Sequence, residues 1–448
     1  MSFERLILKN LREWRNSPYR KPLVLRGARQ TGKTTLIKEF GKEFSTFIYL
    51  NLEKAEDSSI FENSLSARDL FQYICLEKNV QRQGDTLLFI DEIQNSPKAV
   101  EILRYFYEEI PDLFVISAGS LLEVMMDRHK ISFPVGRVEY RYLFPLNFEE
   151  FLMALGEKSL LKFYREKEIP ALAHHKLDSL FNLYSFIGGM PEVVARYVDT
   201  RNIPDLSPVY NNLLTAYKDD ATKYAKSVDE ANIIRHIIES APSENGKRIK
   251  FERFGKSNYK SKDVGEVLRK LERAMLLYMR YPVTGYEIPL VEDKKLHPRL
   301  QFLDCGLLNH ALGMTSAYFV KSKASDEYRG MLSEQVVGQE ILASNFECLQ
   351  KPMLWVKEKK QSNAEVDFLQ VNKGIIIPIE VKSGATGTLR SLHSFIDESD
   401  CKFAIRLFNN ERSMENATTP MGRKQYTLLN LPLYYAGKLK FIINSSMM

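Results

Sequence analysis

The sequence predicts an α/β chain that opens on a parallel sheet, and three observations predict it. Lys21-Pro-Leu-Val-Leu-Arg26 is a short apolar run after a proline, the pattern of a buried strand. Gly27-Ala-Arg-Gln-Thr-Gly32-Lys33-Thr34 follows as a glycine-bounded turn, and Thr34-Thr-Leu-Ile-Lys-Glu-Phe40 runs on at helical spacing. Gly84-Asp-Thr-Leu-Leu-Phe-Ile-Asp91-Glu92 is a further apolar strand, ending in two carboxylates.

The turn has the spacing Gly-x4-Gly-Lys-Ser/Thr, which wraps backbone amides around the phosphates of a nucleoside triphosphate. Gly27 and Gly32 supply unusual backbone angles, and the amides and the helix dipole face the anion. The expected nucleotide contacts are Gly27, Gln30, Thr31, Gly32, Lys33, Thr34 and Thr35. Lys33 reaches the β/γ-phosphates and Thr34 ligates magnesium, so ATP and Mg2+ are the expected ligands. Asp91 would hold the same magnesium, directly or through water, and Glu92 would orient or deprotonate the attacking water.

Between these motifs, Phe44-Ser-Thr-Phe-Ile-Tyr-Leu-Asn-Leu52 reads as a strand. It is expected to separate the loop strand from the carboxylate strand, as in hydrolysing ATPases, whereas small-molecule kinases commonly place those two side by side. Leu113-Phe-Val-Ile-Ser117 is the next strand, and Ser117 and Ser120 are equal candidates for a sensor hydroxyl on the γ-phosphate or a turn-stabilising one. Gly136-Arg137, the strand-like Tyr140-Arg-Tyr-Leu-Phe144 and Pro145-Leu-Asn-Phe-Glu-Glu-Phe151 complete the region.

The set Gly-x4-Gly-Lys-Thr, Ile-Asp-Glu-Ile-Gln94, Ser-Ala-Gly-Ser120, Gly136-Arg137, Pro-Leu-Asn-Phe-Glu-Glu-Phe151 and Gly188-Gly-Met-Pro-Glu-Val193 resembles a widespread prokaryotic family of AAA-type P-loop ATPases. Members of that family carry a C-terminal domain of unknown function related to restriction endonucleases. The resemblance implies ATP hydrolysis and, because AAA-type relatives often form rings, a homo-oligomer. It also places Arg137 where an arginine at a subunit interface stabilises charge on the transferring phosphate; pairing with a local carboxylate is the equal alternative.

Four segments are expected: an AAA-type ATPase core over 1–155, a helical lid or connector over 156–240, a winged-helix-like basic module over 241–325, and a restriction-endonuclease-like α/β domain over 326–448. The lid rests on apolar residues at helical spacing, from Leu152 to Leu155 and from Leu177 to Phe186. Gly188-Gly189 breaks it, and Pro191 opens another helix. Between Lys247 and Arg280 there are eleven Lys/Arg against four Asp/Glu, which accounts for the whole net charge of +6. Val264, Val267, Leu268, Leu271 and Met275 mark a helix there, followed by the strand-like Tyr278-Met-Arg-Tyr281. Lys262, Arg269, Lys270 and Arg273 would then lie near a phosphate backbone, giving contact with double-stranded DNA, with a solvated surface as the alternative.

Further on, two strands flank Asn372-Lys373-Gly374, a hairpin signal that brings Asp367 opposite position 379 or 380. Glu380 and Lys382, two residues apart, share a sheet face. Asp367, Glu380 and Lys382 resemble the Asp-x(n)-Glu-x-Lys signature of the restriction-endonuclease fold, whose acids hold magnesium, and Glu334 from an upstream helix would add a further acid. The usual Pro-Asp is absent, since Glu365-Val366 precedes Asp367. Asp304 reads as a helix cap.

Four scattered cysteines and seven histidines show no metal-ligand spacing, and no apolar run approaches the roughly 18 residues of a spanning helix. A cytoplasmic protein without membrane contact is expected. The expected function is an ATP-dependent switch or motor acting on DNA or a protein partner. Two other readings stand beside it: an ATP-gated, magnesium-dependent DNA nuclease, and a non-catalytic ATP-binding interaction protein.

Overall fold

The computed structural model describes residues 3–62, 66–120, 134, 136–166, 169–223, 225–314, 325–357, 364–384 and 388–446. The chain forms two compact units, the first made of Met1–Phe144 with Arg273–Leu276 and Asn345–Leu349, the second of the remainder.

The first unit is built on five parallel strands: β1 (Leu23–Arg26), β2 (Thr46–Asn51), β3 (Thr86–Asp91), β4 (Phe114–Gly119) and β5 (Glu139–Tyr142), in the order β2-β3-β4-β1-β5. Alternate residues of each strand feed opposite faces. Leu88 and Ile90 of β3 pack with Leu70, Ile74, Leu103 and Phe106 from helices Ala67–Glu77 and Pro97–Glu109. Leu87 and Phe89 pack with Ile7, Leu11, Ile37 and Phe40 from helices Ile7–Asn16 and Lys33–Gly41. Both faces are covered, which is why β3 is buried along its whole length.

The sheet order corrects one expectation. The strand that separates β1 from β3 is β4; β2 lies on the far side of β3, at the sheet edge. The cause is topological: the crossover through helix Ala67–Glu77 sets β3 beside β2, and the chain then returns to fill the gap next to β1.

In the second unit, Asn147 opens helix Phe148–Ala154 with a reciprocal capping box to Glu150. Helices Lys158–Arg165, Ala171–Ile187, Pro191–Thr200, Ser207–Lys223 and Val228–Glu244 follow. The Gly188-Gly189 break is steric: Gly188 has φ +74°, and a Cβ on Gly189 would lie 2.0 Å from the Leu146 carbonyl oxygen. Asp304 caps helix Cys305–Ala311 and also accepts from the Gly189 amide at 2.7 Å.

Helix Ser261–Arg273 buries Val264, Val267, Leu268 and Leu271 and leads into β6 (Leu277–Arg280), which pairs antiparallel with β8 (Arg299–Phe302). An isolated bridge from Arg248 to Arg299 adds a third strand position. The segment between β6 and β8 contributes β7 (Pro282–Val283), which pairs with β9 (Met353–Val356). A seven-stranded mixed sheet results, ordered β13-β14-β12-β11-β10-β9-β7, with β10 (Glu365–Asn372), β11 (Ile375–Val381), β12 (Phe403–Phe408), β13 (Ser413–Thr418) and β14 (Gln425–Pro432). The β10–β11 hairpin turns at Lys373 and Gly374, φ 47° and 78°, the left-handed pair that a two-residue primed turn requires. Among the described residues no helix is long and apolar enough to cross a membrane.

Candidate functional site

The phosphate loop joins β1 to helix Lys33–Gly41. Gln30 (φ 62°) and Gly32 (φ 93°) are left-handed, and a Cβ on Gly27 would come within 2.4 Å of the Leu143 carbonyl oxygen. Lys33 is buried, and its ammonium donates to the carbonyls of Gly27 and Ala28, each at 2.9 Å. Thr31 is buried and donates to Ala28; Thr35 is exposed at the helix start. Arg5 is a participant that no local sequence pattern announces. The residue is 5 % exposed, and its guanidinium donates to the Thr31 carbonyl at 3.0 Å and the Phe144 carbonyl at 2.7 Å.

At the end of β3 the Thr34 hydroxyl donates to the Asp91 carboxylate at 2.7 Å. The Tyr49 hydroxyl of β2 donates to the same oxygen at 3.3 Å. Glu92 is left-handed at φ 52° and receives a hydrogen bond from the Gln94 side-chain amide. Burial pushes the Glu92 carboxyl up; the Gln94 bond and the Lys33 charge pull the other way. Ser117 is buried in β4 with its hydroxyl donating to the Leu23 carbonyl at 3.4 Å, whereas Ser120 lies buried just past the end of the strand. Arg137 donates to Glu108 at 2.8 Å, so a local carboxylate holds it here.

In the second unit the structure brings Glu334, Asp367, Glu380 and Lys382 together, with three residues the sequence did not single out as functional. Arg299 of β8 forms ion pairs with Glu334, with Glu365 at 3.0 Å and with Asp367 at 3.4 Å. Arg280 of β6 is buried, donates to the Asp367 carbonyl and lies 4.2 Å over the Phe368 ring. Lys382 donates to Glu380 at 2.7 Å, and the Val381 amide donates to Asp367 at 2.9 Å. Burial pushes the carboxyls of Glu334 and Glu380 up and the Arg280 guanidinium down to about 9. Arg299 thus supplies the positive charge among acids expected to hold magnesium. Among the described residues, no three His, Cys, Asp or Glu side chains are disposed to hold a metal ion.

The basic helix is used partly in packing. Lys270 pairs with Glu230, which takes it off the surface expected to face DNA, while Lys262, Arg269 and Arg273 remain exposed.

A family model described as "AAA domain" matches residues 19–152, spanning the loop, Asp91 and Glu92. The chain carries an AAA-type P-loop domain. Two models described as domains of unknown function, DUF8612 and DUF4143, match residues 178–318 and 329–434. No curated protein matches. Among solved structures, a Walker-type ATPase of Pyrococcus abyssi is 15% identical, covers 69% of this chain and 96% of its own, and has a TM-score of 0.45. The Drosophila ORC bound to AT-rich DNA and Cdc6 has a matching chain 12% identical, covering 68% of this chain and 90% of its own, with a TM-score of 0.22.

Proposed function

We propose that this protein is a magnesium-dependent ATP hydrolase that works as a switch or motor on DNA or a protein partner. One observation carries the reading: the Thr34 hydroxyl meets the Asp91 carboxylate, so the end of the phosphate loop and the end of β3 converge. A hydroxyl and a carboxylate are hard oxygen donors and fit Mg2+, while a buried lysine over left-handed loop residues fits a polyphosphate. Thr34 and Asp91 would hold the ion, whose chemistry is to neutralise charge on the β- and γ-phosphates.

Lys33 exchanges the Gly27 and Ala28 carbonyls for phosphate oxygens. Glu92, whose burial raises its affinity for a proton, takes one from the attacking water. β4 lies between β1 and β3, the strand order expected of hydrolysing ATPases, which supports hydrolysis over phosphoryl transfer to a small molecule. Arg137, on the surface with Glu108, is available to a second copy of the chain. Titration with a fluorescent ATP analogue tests the binding half: Lys33→Ala should lose affinity, and unchanged binding would refute the loop assignment.

The exposed Lys247, Arg248, Lys250, Lys262 and Arg269 support contact with double-stranded DNA. Cleavage of that DNA has less in its favour, because Arg299 forms ion pairs with Glu334 and Asp367, two of the acids a nuclease would need for its metal.

A further inference from the structure

Gln94 stands two residues beyond Glu92 on the short turn Ile93–Asn95. The turn is rigid. The Asn95 amide donates to the Glu92 carbonyl at 3.0 Å, and Ser96 caps helix Pro97–Glu109 immediately afterwards. Within it Glu92 keeps a left-handed backbone, a conformation that costs free energy in a non-glycine residue and is found preferentially at functional sites.

Gln94 is 7 % exposed, and the two ends of its side-chain amide are treated differently. Its Nε2 donates to Glu92 Oε2, whereas its Oε1 is shut off from solvent and has no hydrogen-bond partner. Buried amide oxygens are rarely left unpaired, and this one belongs to the side chain that grips the carboxylate proposed as the base.

We propose that Gln94 is a positioning residue of the hydrolytic site. Its amide NH2 fixes the Glu92 carboxylate in the orientation that takes a proton from the attacking water. The water's oxygen attacks the γ-phosphorus, its proton passes to Glu92, and the bond to the β-phosphate oxygen breaks with the electron pair leaving on ADP. Gln94 exchanges no proton and acts through Glu92. The inference rests on Glu92 being the base of ATP hydrolysis.

Steady-state phosphate release and binding of a fluorescent ATP analogue, measured on the full chain, test it. Gln94→Leu keeps the side chain's bulk and removes both polar ends. It should lower kcat about tenfold to a hundredfold, within the range of acid–base effects, with KM and analogue binding unchanged. Gln94→Asn, which restores the amide one methylene short, should recover part of the rate. In a Glu92→Gln background, Gln94→Leu should cost nothing further, because the group it positions is gone. A wild-type kcat in Gln94→Leu, or a full additional loss in the Glu92→Gln background, overturns the proposal. An inactive wild-type protein would instead overturn the ATPase reading on which it stands.

Discussion

Thr34 and Asp91 are joined by a hydrogen bond of 2.7 Å although 57 residues separate them. The bond ties the first turn of helix Lys33–Gly41 to the end of β3, and Tyr49 braces it from β2. If both groups serve one magnesium ion, their losses overlap. Thr34→Ala and Asp91→Asn should each reduce magnesium-dependent phosphate release at least tenfold, and the double variant should be far less impaired than the product of the two. A double-mutant cycle on kcat/KM measures the overlap; strict additivity would separate the two roles.

Arg5 supports the loop from behind through the Thr31 and Phe144 carbonyls. Arg5→Ala leaves both without a charged donor and should destabilise the protein by about 2–3 kcal/mol, read from denaturant unfolding. Arg5→Lys should rescue little of this, because a single ammonium cannot span two carbonyls as the guanidinium fork does.

What could be anticipated from the sequence was what is local along the chain. The loop glycines, the apolar run before Asp91 and the Lys373-Gly374 hairpin each announce themselves within a few residues. Partners brought together by the sheet are different. Arg5 meets carbonyls 26 and 139 residues away, Arg137 meets Glu108 across 29, and Arg299 meets Asp367 across 68. None of these pairs leaves a periodic trace, and the same holds for β4 rather than β2 lying between β1 and β3. Gln94 lay inside a motif that was read, but an amide carries no charge signal to mark its role.

Arg299 holds Glu334, Glu365 and Asp367, and its side chain is 14% exposed. Arg299→Gln leaves the three carboxylates facing one another, and breaking such a buried array should cost about 3–5 kcal/mol in chemical denaturation. Millimolar manganese should return part of that loss in the variant and leave the wild type unchanged. An unaltered unfolding midpoint would mean that Arg299 does not neutralise the cluster.

Glu340, on helix Asp326–Ala343, accepts from the Tyr184 hydroxyl at 2.7 Å and the Phe148 amide at 2.9 Å. Burial outweighs these bonds and pushes its carboxyl from 4.5 to about 8, with Glu149 and Glu150 adding in the same direction. Between those values the folded chain keeps a proton that the unfolded chain releases. The contribution of Glu340 is therefore whole below about pH 4.5 and is lost as pH climbs through 8, at up to about 1.4 kcal/mol per unit. Glu340→Gln is neutral throughout, so its stability relative to wild type should rise between pH 5 and 8. A pH-independent difference would show that Glu340 stays ionised in the fold.

Lys262, Arg269 and Arg273 are exposed cations of helix Ser261–Arg273, the first two in its interior. If these two touch DNA phosphates, Lys262→Glu with Arg269→Glu should weaken binding to double-stranded DNA of any sequence. The slope of log affinity against log salt should fall by about 2, close to one counterion per lost contact. An unchanged slope would assign that face to solvent or to a protein.

The central claim is that Glu92 activates water for ATP hydrolysis at this loop. Phosphate release from ATP with magnesium, compared between wild type and Glu92→Gln at equal nucleotide occupancy, tests it most directly. Turnover in the wild type with at least a hundredfold loss in Glu92→Gln, ATP still bound, is the expected result. Equal rates in the two proteins would contradict it.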